Sequence, residues 1–301
     1  MALQDSAMLV SLYLTQWSAR KLDRSTSHEV CDAKHADHEL GRFNKQIIPK
    51  KYLHNIQQVA NRIRNYHYEN TLPWNHKGAD LLPSRHYLKY TQRMGELEEK
   101  FDKAVTEFLT AYPTIIQQVQ NNLNDLYDTS DYPTVDQIRN KFHMEIAMTP
   151  VPDAGDFRID INQKELDKLK AKLKEQLKAA NIAAEQELFS RLYTRLAKAV
   201  ITLRVPDKIF RNTLILNIED QCEKIKTMNL NDNKELLSVA NNILEHLKDI
   251  DIDALRDKEQ PLYRESTACL LEEALQQVEQ VYLGANDDQQ SNTGQEVNSS
   301  T

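Results

Sequence analysis

The sequence predicts a mainly α protein of the α+β class: a long antiparallel helical pair, a small antiparallel β-sheet formed by an N-terminal strand plus a hairpin, and additional C-terminal helices. Three observations predict it. Two runs inside 84–204 repeat apolar residues at steps of three and four over many turns, as helices with one buried stripe do. Between them, a Pro/Gly turn separates two stretches that alternate apolar and polar residues. The 301 residues include only 6 glycines and 9 prolines, too few for a turn-rich all-β chain.

The segment Met8-Leu-Val-Ser-Leu-Tyr-Leu14 reads as the N-terminal strand. It is the third strand that a hairpin, marginal alone in water, requires. Ser25-Thr-Ser-His-Glu29 then places hydroxyls ahead of a glutamate in the manner of a helix N-cap. His28, Cys31, His35 and His38 follow at spacings that share a helical face. All four are zinc-binding types, but a continuous helix would hold the outer pair about 15 Å apart, too far for one ion, so no metal site is assigned. Gly41-Arg-Phe-Asn-Lys reads as a connector, and Pro49 suits the first turn of a helix reaching Tyr66 with Tyr52, Ile56, Val59 and Ile63 buried.

The exit of that helix, 62–83, interleaves rings and guanidinium groups in a long loop broken by proline and glycine. Such residues stack on bases or hold a partner loop, or else anchor their own loop. The candidate binding residues are Arg62, Arg64, Tyr66, His67, Tyr68 and Trp74, joined by Arg85 and Lys89 at the start of the next helix.

The first long arm carries Tyr87, Tyr90, Met94, Leu97, Phe101, Ala104, Phe108, Tyr112, Ile115, Val119, Leu123 and Leu126, with a kink expected at Pro113. The hairpin occupies 142–161, and the second arm follows with a stripe from Leu166 to Leu203. Pro206 closes it. Shorter helices follow, the last ending at Leu283-Gly284. The polar stretch 285–301 is expected to be disordered. These readings divide the chain into 1–83, 84–204, 205–284 and the tail.

Charge is uneven. Residues 1–100 carry 15 Lys/Arg against 11 Asp/Glu, and the remainder 23 against 34. An anionic partner would therefore favour the N-terminal third, unless the asymmetry docks one end of the chain on the other. Cys31, Cys222 and Cys269 are few, odd in number and widely spaced, which suits a reducing compartment. No apolar run is long enough to cross a bilayer, and the first residues lack an export-signal layout, so an intracellular location without membrane association is expected.

Clustered glycines for phosphate, serine elbows, Cys-x-x-Cys pairs and His-Glu-x-x-His are all absent from the sequence. Asp156 and Asp160 would lie on the wet face of the hairpin. No enzyme and no cofactor are expected.

Five short motifs occur in order: Gln16-Trp-Ser-Ala-Arg-Lys, Gly41-Arg-Phe-Asn-Lys, His67-Tyr-Glu-Asn-Thr-Leu-Pro-Trp74, Leu81-Leu-Pro83 and Pro152-Asp-Ala-Gly-Asp-Phe-Arg158. Over Met8 to Asp232 the chain thus resembles an uncharacterised family of tailed-bacteriophage proteins. The resemblance implies an origin rather than an activity. Some members are encoded near MoxR-type AAA+ ATPase and von Willebrand A-type genes, which implies an adaptor or substrate of such a machine in the host cytoplasm. The leading expectation is a non-enzymatic accessory protein that binds another protein and self-associates through its long stripes. The alternative is a nucleic-acid-binding protein using the basic and aromatic residues named above.

Overall fold

Residues 3–74, 78–153 and 162–297 are described by a computed structural model. In chain order the elements are α1 (Leu3–Ser6), β1 (Ala7–Thr15), β2 (Arg20–Asp23), α2 (Arg24–Ala33), β3 (Phe43–Gln46), α3 (Lys50–Glu69), β4 (Leu72–Pro73), β5 (Asp80–Pro83), α4 (Tyr87–Leu123), α5 (Val135–Arg139), β6 (His143–Pro150), α6 (Gln163–Arg204), α7 (Thr213–Met228), α8 (Lys234–Lys248) and α9 (Pro261–Val297). The mainly α architecture with a small antiparallel sheet is as the periodicity predicts. Contacts divide the chain into two units that interleave in sequence, so the sequential segments ending at 83 and 204 do not coincide with them. The first unit holds 1–10, 70–88 and 148–301; the second holds 11–69 and 89–147.

The four-stranded sheet has the order β4-β5-β1-β6, which sets the predicted N-terminal strand beside the first hairpin strand. Its register pairs Ala7 with Pro83 and Val10 with Asp80, and Leu72 with Leu81. The second hairpin strand, with Asp156 and Asp160, lies outside the described residues. β4 and β5 come from the stretch expected to be loop. They are too short to show alternation; pairing of β5 with β1, and of β4 with β5, is what makes them strands.

In the first unit the core is helical. Leu188, Leu192, Leu196 and Leu203 of α6 join Ile218 and Ile225 of α7, Ala240 and Ile243 of α8, and Leu271 and Val278 of α9. The long antiparallel pair exists, but its members are α6 and α9: Arg264 reaches the carbonyl of Leu203, and Tyr282 meets the ring of Phe189 several turns back along α6. The expected partner of α6, α4, falls in the second unit apart from its first two residues. α9 continues through Gly284 to Val297, beyond the expected stop and into the stretch expected to be disordered. One interior glycine costs a helix only about 1 kcal/mol, which does not by itself terminate it.

In the second unit α4 buries Tyr90, Met94, Leu97, Phe101, Phe108, Tyr112, Ile115 and Val119, and Pro113 stays inside one helix. Tyr87 and Leu126, placed on the stripe from sequence, are exposed. α3 buries Leu53 rather than Tyr52, whose hydroxyl instead reaches Gln118 on α4 at 2.5 Å. The cap of α2 is Asp23, which accepts from the Thr26 N–H, so the expected hydroxyl cap at Ser25–Ser27 is corrected by two to four residues. The short ribbon β2–β3, whose second strand falls in the stretch read as a connector, pairs Arg20 with Gln46 and Asp23 with Phe43. Beneath it the Asp131 carboxylate lies 2.6 Å from the Lys45 ammonium and also pairs with Lys21.

Candidate functional site

The basic and aromatic residues at the α3 exit are largely spent on internal contacts. In the second unit Tyr66 stacks on Tyr90 at 6.1 Å and donates its hydroxyl to the Lys89 carbonyl. His67 is buried, with Nδ1 2.7 Å from the Tyr90 hydroxyl. Arg64 donates to the carbonyl of Leu14. Arg62, Tyr68 and the Lys89 side chain face solvent, Tyr68 with its ring edge-on to His67. Trp74 and Arg85 belong to the first unit, where Trp74 packs against the core and Arg85 pairs with Asp232 at 2.7 Å. That pairing holds the Asp232 carboxyl below its ordinary range and lifts the guanidinium. Tyr66, His67, Lys89 and Tyr90 therefore form a joint between α3 and α4.

The histidines near α2 rearrange as well. α2 ends at Ala33, His35 takes a left-handed φ of 54°, and the chain folds back so that His38 stacks on His28 at 4.4 Å. Nε2 of His38 lies 2.6 Å from Asp32, and Cys31 is buried against Gly41. Among the described residues no group of three or more His, Cys, Asp or Glu is arranged to hold a metal ion.

Sequence reasoning missed a different surface, the bend joining α6 to α7. α6 stops at Arg204 because Pro206 follows, and Asp207 turns the chain with a left-handed φ of 59°. The bend is held from α9. Nε of Arg264 donates to the Leu203 carbonyl at 2.8 Å, while its Nη2 faces the carbonyls of Thr202, Val205 and Lys208 at 2.9–3.1 Å. Phe210 is buried, with the guanidinium carbons of Arg256 and Arg264 5.5 and 5.4 Å from its ring centroid. With Phe210 turned inward, Ile209 beside it is turned out and is 95% exposed.

An open groove of about 690 Å³ runs along α6, the bend and the start of α7. Its apolar lining includes the exposed residues Tyr193, Ile201 and Ile209. Arg195, Lys198, Lys208 and Arg211 also line it, with no carboxylate among its described lining residues. Arg195 is tied to Gln221, whereas Lys198, Lys208 and Arg211 are exposed. A second groove of about 390 Å³ opens on the other side of the same Lys208-Ile209-Phe210 step. One signal was available in the sequence: Lys198, Arg204, Lys208 and Arg211 cluster around Ile209 inside a part of the chain that is otherwise acidic.

No helix among the described residues is long and apolar enough to cross a membrane. No curated protein and no solved structure matches the chain significantly. One family does, over a segment that includes the second unit, the first unit up to the end of α8 and the whole of the larger groove: the chain belongs to the family described as "Protein of unknown function (DUF3150)", whose model matches residues 4–248.

Proposed function

We propose that this protein works without catalysis, by binding another protein at the α6–α7 bend. The observation that carries the reading is Ile209, an aliphatic side chain 95% exposed on a bend whose backbone carbonyls are held by Arg264. Burying such a side chain in a partner is worth about 1.5–3 kcal/mol, and a bend already held in place loses little further entropy on binding. The internal contacts of Tyr66, His67, Arg64 and Arg85 favour protein binding over nucleic-acid binding by the α3 exit. The phage resemblance of the five motifs supports a phage accessory factor in the host cytoplasm, acting as an adaptor to an AAA+ ATPase and self-associating.

Site-specific photo-crosslinking in phage-infected cells tests this. A photoreactive residue at position 209 is expected to give a discrete protein adduct that disappears when Ile201→Glu is added. The same residue at position 98, an exposed site on α4, is expected to give none. Equal adducts from both positions, or nucleic acid captured from 209, would overturn the reading.

A further inference from the structure

We propose, on the basis of the protein-binding reading above, that the groove along α6 and the bend receives an amphipathic helix of a partner protein whose polar face is acidic. Tyr193, Ala197 and Ile201 line it at steps of four on one face of α6. Eight residues of helix span about 12 Å, the length over which a docked helix presents anchors at i, i+4 and i+7. Ile209 adds a further apolar contact from the bend. At about 690 Å³ the groove is of the size that holds several side chains.

The rim decides the sign of the occupant. Lys198, Lys208 and Arg211 stand exposed around the apolar floor and Arg195 lies half-buried beside them, whereas the whole chain carries a net charge of −7. A local field opposite to that of the molecule steers acidic partners to this groove and repels basic ones. A nucleic acid would be held through ring stacking as well as charge. Here Phe210 is buried between two guanidinium groups, and Tyr193 alone among the described lining residues offers an exposed ring. Two aliphatic side chains at the centre suit leucines of a helix better than bases.

The test uses the full chain and two synthetic helical peptides, both with leucine at i, i+4 and i+7, one with glutamate and one with lysine at its polar positions. Fluorescence anisotropy is expected to show the acidic peptide binding at least about tenfold more tightly than the basic one. Lys198→Glu with Arg211→Glu should reverse that preference, and Ile209→Ser should weaken both peptides, with far-UV circular dichroism unchanged in each variant. Equal affinity for the two peptides, indifference to the charge reversal, or displacement of the acidic peptide by a short oligothymidylate would overturn the assignment. If position 209 crosslinks a protein that the acidic peptide does not displace, or crosslinks a second copy of this chain, the helical occupant is wrong while protein binding stands. If position 209 crosslinks nothing, protein binding at this bend falls as well.

Discussion

Gly41 is the residue at which a single methyl group matters most clearly. A Cβ built there would stand 2.2 Å from the buried Sγ of Cys31, so either the thiol or the backbone must move. Gly41→Ala is expected to destabilise the protein by about 1–3 kcal/mol, as overpacking does. Adding Cys31→Ala should recover most of the loss in chemical denaturation; an equal loss in single and double variants would place the strain in the backbone instead. Asp131 is a second such point, its side chain 2% exposed beside a Lys45 side chain that is 8% exposed. Asp131→Ala takes the nearer carboxylate from a buried ammonium that keeps only Asp23, at 3.3 Å, and the Leu126 carbonyl, and is expected to cost about 3 kcal/mol, whereas Asp131→Leu together with Lys45→Met should cost less, since both charges of the buried pair are then removed together. The ribbon also makes stability depend on pH at both extremes. The Thr26 N–H and the Lys45 ammonium together outweigh burial and hold the Asp23 carboxyl below its ordinary value, so its contribution is present above about pH 4 and lost as pH falls below that. Burial pushes the Lys45 ammonium down, but its pairing with Asp131 and Asp23 outweighs this and raises it; that contribution is complete below about pH 10 and lost at higher pH. Burial pushes the phenols of Tyr112 and Tyr132 up to about 12. An ultraviolet titration should therefore show Tyr112 and Tyr132 ionising late, with alkaline unfolding between about pH 10 and that value as the unfolded chain ionises first.

At the scale of elements, the bend after α6 depends on one side chain carried by another helix. Arg264 supplies a planar fork to carbonyls that the end of α6 leaves without partners, and its ring contact with Phe210 fixes which way the bend faces. Arg264→Ala is expected to cost about 1.5–3 kcal/mol and to raise amide exchange across 202–210. Arg264→Lys should recover only part, because a single ammonium cannot reproduce the fork. Unchanged exchange across 202–210 would show that Pro206 and Asp207 hold the bend by themselves. The helices were legible because their stripes are long: Tyr90, Met94, Leu97 and Phe101 on α4, and Leu188, Leu192 and Leu196 on α6, are all buried. The short strands were not. Arg20-Lys-Leu-Asp23 and Phe43-Asn-Lys-Gln46 carry no apolar alternation, and the ribbon is held by ion pairs to Asp131, more than eighty residues away in sequence.

At the scale of the molecule, two interleaved units each have buried residues of their own, so a lesion should be felt first within its unit. Hydrogen exchange on Asp131→Ala is expected to rise in α2 and β3 while α7 and α8 keep their protection; a uniform rise would mean that the chain opens as one cooperative block. The sequence by itself determined the mainly α class, the long helical stretches up to Leu283, most of the face that α4 and α6 bury and the strand at the N-terminus, because those follow from periodicity and from residues adjacent in the chain. It did not determine partners. An apolar stripe states that a face will be covered without stating by what, so only the tertiary structure decided that α6 lies along α9. It also decided that the rings of the α3 exit serve an internal joint. The groove was decided there too, since Tyr193, Ile201, Ile209 and Arg211 read separately as ordinary surface residues and become one site only when Pro206 and Arg264 fold the bend.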